Sequence, residues 1–171
     1  MSVKTIYFAG GCFWGCEKVF QKVPGVKDTE VGYANGWKEN PTYEEVCGNE
    51  TGHRETVKVT YEDKEVSLTT LLKVYFLVID PTLQNQQGND IGTQYQTGVY
   101  YEDEEDLPII QATFEAEKKK VAHFYVECEK LKCFYTAEEY HQDYLIKNPN
   151  GYCHITNIEM EEVQKLLEGK L

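Results

Sequence analysis

Gly10-Gly11-Cys12-Phe13-Trp14-Gly15-Cys16-Glu17 is the stretch on which the reading of this chain turns. The apolar run Ile6-Tyr7-Phe8-Ala9 precedes it and predicts a buried strand. Phe13, Cys16, Val19, Phe20 and Val23 follow at roughly helical spacing and predict an amphipathic helix. Cys12 therefore falls at a strand-to-helix turn, beside a helix N-terminus. Unpaired N–H groups and the partial positive charge of that end favour a thiolate. Two glycines before the thiol let the backbone turn sharply and approach a ligand. Two large aromatics after it can wall an apolar pocket. Position alone leaves a second reading open, a buried and inert cysteine in a core-facing helix.

Along the chain, residues 4–9 read as strand and 12–22 as helix, ended by Pro24-Gly25. Residues 26–33 read as a second strand. Residues 34–51 form a long polar loop, of a length that is usually functional or mobile. Val57, Val59 and Tyr61 alternate cleanly and predict a strand over 55–61. Ser67 can cap a helix over 68–79, stopped by Asp80-Pro81. Residues 84–94, with Gly88 and Gly92, suit a backbone-rich loop. A fourth strand is expected over 97–101 and a helix over 104–121, acidic at its start and carrying Lys118, Lys119 and Lys120 at its end. A further strand over 124–128, a short helix over 138–144, a loop over 148–156 and a helix over 157–168 complete the chain. The first six elements follow the split βαβ order of ferredoxin-like folds. The expectation is an α/β (α+β) two-layer fold: a ferredoxin-like βαββαβ core with a mixed sheet, helices packed on it, and a C-terminal extension. Residues 1–171 are read as a single catalytic domain.

Composition bounds the function. With 171 residues the chain is long enough to bury a core, and 41% hydrophobic against 27% charged residues argues against disorder. A net charge of −12 disfavours nucleic acid and anionic membrane as partners, since both need clustered Lys and Arg. Arg54 is the only arginine, which disfavours phosphate chemistry as well. No stretch approaches a membrane span, and the N-terminus reads without a secretory signal. The six cysteines, Cys12, Cys16, Cys47, Cys128, Cys133 and Cys153, are then expected in a reducing cytoplasm, free or catalytic. They and the four histidines form no C-x2-C or H-x3-5-H pair, so no structural metal is expected.

Gly-Cys-Phe-Trp-Gly at 11–15 resembles the signature of the peptide methionine sulfoxide reductase A family. Asn40-Pro41-Thr42-Tyr43, Gly52-His53-Arg54-Glu55 and Gly88-Asn89-Asp90-Ile91-Gly92-Thr93-Gln94-Tyr95 match the family in order. So do Tyr140-His141-Gln142-Asp143-Tyr144 and Asn150-Gly151-Tyr152-Cys153, and the resemblance spans about residues 3–155. It implies that Cys12 attacks the sulfur of methionine sulfoxide and that Glu55 is the acid that protonates the oxygen. Such an acid needs a raised pKa. Tyr43 and Tyr95 match the tyrosines that hydrogen-bond the oxygen, and phenols stay neutral donors at pH 7. Asp90 matches a carboxylate beside the site. Phe13 and Trp14 would hold the methyl group, whereas His53 and His141 are given structural roles.

The same resemblance implies a Cys12 sulfenic acid resolved by Cys153. Thioredoxin, or dithiothreitol in vitro, would reduce the resulting disulfide, with no bound cofactor. Some members carry a further relay cysteine, but none follows Cys153 here, so thioredoxin would act directly on the Cys12–Cys153 bond. Cys16, at i+4 from Cys12, competes by proximity. Residues so spaced on a helix hold their Cβ atoms about 5–6 Å apart, whereas a disulfide needs about 3.5–4.5 Å. The implied substrate is free and protein-bound methionine-S-sulfoxide, and the implied state a cytoplasmic monomer. A thiol peroxidase and a non-catalytic redox-sensing or peptide-binding module are the competing readings.

Overall fold

The computed structural model describes residues 3–11, 13–48, 51–87, 90–148 and 157–169. Strand β1 (Val3–Ala9) lies at the middle of the sheet and divides its side chains by parity. Ile6 and Phe8 point into the main core, while Tyr7 and Ala9 face the other side with Ala34 and Tyr100. Phe8 stacks on Phe20 of helix α1 (Phe13–Gln21) at 4.7 Å and on Tyr75 of helix α3 (Leu68–Val78) at 5.0 Å. Both helices therefore cover the same face of the sheet. Burying each such apolar side chain stabilises the fold by about 1.5–3 kcal/mol as an upper estimate.

Between the helices run β2 (Val26–Ala34) and β3 (Arg54–Glu62), and β6 (Gly98–Tyr101) follows α3. Strand β3 pairs antiparallel with both β1 and β2, and β6 pairs antiparallel with β1. The order β6-β1-β3-β2 is that of the ferredoxin-like core expected from the sequence. Two short strands extend it. Strand β7 (Glu127–Lys130) joins β6 in parallel, which makes the sheet mixed, and β8 (Phe134–Thr136) joins β2. Helix α4 (Leu107–Lys118) and helix α6 (Asn157–Leu167) pack on α3.

Several boundaries differ from the sequence expectation. The polar loop 34–51 holds a helix, α2 (Tyr43–Cys47), closed by a capping box. Glu45 N donates to Thr42 Oγ1 at 3.2 Å and Thr42 N to Glu45 Oε1 at 3.0 Å. The 84–94 loop contains a minimal hairpin, β4 (Gln86–Gln87) with β5 (Asp90–Ile91), and a 3-10 turn at Thr93–Tyr95. The strand expected at 124–128 is shifted to β7, because Tyr125 N instead donates to Pro81 O and pairing with β6 starts at Glu127. The helix expected at 104–121 splits into a 3-10 turn at Glu104–Asp106 and α4, with Pro108 in the first helical turn, where its missing N–H costs nothing. The helix expected at 138–144 is a 3-10 turn, Glu139–His141, followed by α5 (Tyr144–Lys147). Asp143 breaks it with a left-handed φ of 55°. The expected loop 148–156 lies almost wholly outside the described residues.

Candidate active site

The site forms where β1 turns into α1. Gly11 takes a φ of 84°, a left-handed conformation that L side chains resist, and delivers the chain into the helix. Cys12 lies outside the described residues, as does Cys153. Phe13 opens α1, so its N–H is one of the donors without a partner inside the helix. Glu55 on β3 supplies the acceptor: Oε1 takes the Phe13 N–H at 3.2 Å.

Glu55 is 1% exposed, and its Oε2 has no hydrogen-bond partner among the described residues. Burial pushes its pKa from 4.5 up to about 8. The Phe13 N–H opposes that shift and the Asp90 carboxylate adds to it. Desolvation decides the outcome, because one amide donor does not replace the water lost by an ion. At pH 7 Glu55 is therefore a protonated acid with one oxygen unpartnered among the described residues, in a strand position where an ordinary glutamate would be ionised.

Aromatic rings enclose the same space. Phe13 is 5.9 Å from Tyr33, 6.4 Å from Tyr43 and 5.3 Å from His141, ring to ring. Trp14 donates its indole N–H to His141 Nδ1 at 3.1 Å and stacks on Tyr144 at 3.8 Å. Tyr43 begins α2, and Glu138 fixes that helix end: Oε2 accepts the Tyr43 N–H at 3.0 Å and Oε1 the Tyr33 hydroxyl at 2.8 Å. The Tyr43 phenol is pushed up by burial first, then by the charges of Glu55, Cys47 and Tyr95. It stays a neutral donor at any physiological pH. That coupling brings Tyr43, Glu55 and Tyr95 into one neighbourhood, and the effect of Asp90 on Glu55 adds a fourth group. The 3-10 turn carrying Tyr95 packs against β3.

His53 and His141 are both buried but differ in use. His53 Nδ1 accepts the Gly36 N–H at 3.1 Å, so Nε2 carries the proton and donates to Lys38 O at 2.6 Å. Both ring nitrogens serve the 36–38 loop. His141 sits among the pocket rings, 4.3 Å from Tyr43, and its Nε2 has no partner among the described residues. Burial lowers its pKa, so it is neutral at pH 7, with Nδ1 accepting from Trp14 and Nε2 left as a donor. Glu138 and Cys47, also beside the rings, had no local sequence signal. The Cys16 thiol is fully buried and directed at Gly10 O, 3.2 Å away.

A family model described as peptide methionine sulfoxide reductase matches residues 4–169. The chain belongs to that family. Its relatives include a peptide methionine sulfoxide reductase MsrA of Mycoplasma genitalium, 56% identical over 154 residues, which cover 90% of this chain and 98% of the relative. Among solved structures, Mxr1 from Saccharomyces cerevisiae in reduced form superposes with a TM-score of 0.85 at 39% identity, over 90% of this chain and 91% of that one. Mxr1 in complex with Trx2 gives a TM-score of 0.60 at 26% identity, over 83% and 84%. Structures of the reductase family thus share the two-layer fold described above.

Proposed function

We propose that this chain is a peptide-methionine (S)-S-oxide reductase, acting as one catalytic unit on free and protein-bound methionine-S-sulfoxide. Family membership supports the activity, and the observation that carries the mechanism is Glu55. It is a fully buried acid, neutral at pH 7, whose Oε2 has no hydrogen-bond partner among the described residues, beside Phe13 and within electrostatic reach of Tyr43.

In the proposed step the Cys12 thiolate attacks the sulfoxide sulfur. Glu55 gives its proton to the oxygen as negative charge builds there, and Tyr43 and Tyr95 donate hydrogen bonds to that oxygen. The aromatic walls hold the electron-poor methyl group. The S–O bond breaks as the protonated oxygen departs as hydroxide, leaving the two sulfurs bonded; hydroxide then attacks the Cys12 sulfur, the S–S bond breaks, methionine leaves with that electron pair, and Cys12 is left as a sulfenic acid. The Cys153 thiol then displaces that oxygen as water and forms the Cys12–Cys153 disulfide. A thioredoxin dithiol reduces the disulfide by exchange, so two electrons pass from thioredoxin to the sulfoxide. The Mxr1–Trx2 complex of yeast supports thioredoxin as partner. Asp90 raises the Glu55 pKa in this scheme and needs no contact with substrate. We place the chain in the reducing cytoplasm as a monomer. Among the described residues no helix is long and apolar enough to cross a membrane.

The test is turnover of a peptide carrying methionine-S-sulfoxide or methionine-R-sulfoxide, with dithiothreitol and then with thioredoxin. Loss of the S epimer with either reductant is expected. An S epimer that persists in both assays refutes the assignment.

A further inference from the structure

Glu17 is a buried carboxylate for which the proposed chemistry has no use. It lies on α1 one turn beyond Trp14 and is 1% exposed. Both of its oxygens are engaged. Oε1 accepts the backbone N–H of Asp143 at 2.8 Å, and Oε2 accepts the Thr29 hydroxyl at 3.1 Å. Gln21, the next turn along, closes the ring: its Nε2 reaches Thr29 Oγ1 at 3.1 Å and Asp143 Oδ1 at 2.6 Å. One polar network thus joins α1, β2 and the turn before α5.

Asp143 is the residue in this network that needs holding. Its φ of 55° lies in the left-handed region, which Asp tolerates better than most side chains but still at a cost relative to the right-handed one, so contacts that hold it there matter. It also separates His141 from Tyr144. Those two rings rest on Trp14, one through the indole hydrogen bond and the other by stacking at 3.8 Å. The geometry of the Asp143 peptide therefore sets how the two rings meet the indole.

We propose that Glu17 is a positioning residue for the sulfoxide pocket. By accepting the Asp143 N–H it fixes the turn that seats His141 and Tyr144 against Trp14, and so sets the pocket's affinity without touching substrate. The inference rests on reading this pocket as the sulfoxide site. The charged groups facing Glu17 are Asp143 on the turn and Asp28 on β2. Burial first, and then those two carboxylates, bring its pKa up to about 7, against the pull of the two hydrogen bonds it accepts. The network therefore changes protonation within the neutral range.

Two variants separate the acceptor from the volume. Glu17→Met fills the space but accepts no hydrogen bond, whereas Glu17→Gln keeps an acceptor for Asp143 N–H and a donor for Thr29. Trp14 and Trp37 are the chain's two tryptophans, and Trp37 is 74% exposed, so a Trp37→Phe background isolates Trp14 emission. In single-turnover assays with a sulfoxide peptide, Glu17→Met should raise the half-saturating concentration about 10-fold, the loss of one buried charge-assisted bond, with the maximal rate within about threefold. Its Trp14 emission should shift. Glu17→Gln should stay near wild type in both readouts, but should lose the step in Trp14 emission near pH 7. Equal weakening by Met and Gln, or no weakening and no emission shift in either, overturns the proposal. If Glu17→Met does not fold, a pH step that persists in Glu17→Gln overturns it. If no variant and no wild type reduces sulfoxide, the functional reading fails, and Trp14 emission alone still decides whether Glu17 holds the turn.

Discussion

Glu55→Gln isolates the acid. With a pKa of about 8, about 90% of Glu55 carries its proton at pH 7. At the ordinary value of 4.5 the fraction would be about 0.3%, so burial enlarges the pool of usable acid about 300-fold. Glutamine has nearly the same shape and is neutral, as Glu55 is at pH 7, and its carboxamide oxygen can still accept the Phe13 N–H. The fold should therefore survive while the proton source is gone. The chemical step should slow by about 10²- to 10⁴-fold, the usual contribution of a positioned acid. Rapid-quench single turnovers with a methionine-S-sulfoxide peptide, from pH 6 to 10, would measure it. The sign with pH follows from the raised value: wild type loses rate as pH climbs past about 8, where the acid deprotonates, and the variant shows no such limb. A Glu55→Gln rate within about tenfold of wild type, or a descending limb that survives the substitution, would refute this assignment of the acid.

Four further outcomes are expected. Cys12→Ser should abolish steady sulfoxide reduction even with excess dithiothreitol, since a hydroxyl is a far weaker nucleophile and cannot cycle through a sulfenic acid; turnover assays check it. Cys153→Ser should keep one burst of product per enzyme and lose thioredoxin-supported turnover. Cys16→Ser should change neither, because a serine hydroxyl can still donate to Gly10 O; peptide mapping after one equivalent of substrate should find Cys12 joined to Cys153. Stability should fall as pH rises from about 4.5 to 8, because Glu55 and Glu17 both hold protons in the folded state that the unfolded chain has released. The full Glu55 shift corresponds to at most about 5 kcal/mol, and in thermal melts Glu55→Gln should flatten the slope and exceed wild type at pH 9.

The elements that position the site were legible where periodicity and register agree. The alternation of Val57, Val59 and Tyr61 placed β3, and the spacing of Phe13, Cys16, Val19 and Phe20 placed α1. Less regular pieces were not. Strand β8 has three residues, too few to alternate, and exists because β2 offers it an edge. Helix α2 was foreshadowed by Thr42-x-x-Glu45, a capping-box pattern hidden in an otherwise polar loop. The chemistry demands a raised pKa of Glu55, yet no local pattern encodes it, since it comes from burial first and then from Asp90, 35 residues along the chain, against the pull of the Phe13 N–H. The partner of Glu17 is 126 residues distant, and nothing near either residue announces the pair.

Gln142 closes a part of the fold that would otherwise be sticky. Beyond the three residues of β2 paired with β8, the strand still presents the Val31 peptide. Gln142 meets it as a neighbouring strand would, with Oε1 accepting from Val31 N and Nε2 donating to Val31 O, both at 2.9 Å. Ala137 N donates to the same carbonyl at 2.9 Å. Exposed strand edges template intermolecular pairing and fibre growth. An enzyme proposed to reduce protein-bound methionine sulfoxide must bring other polypeptide chains to its surface. At this edge a single amide side chain stands in for the next strand and removes one foothold for pairing with those chains.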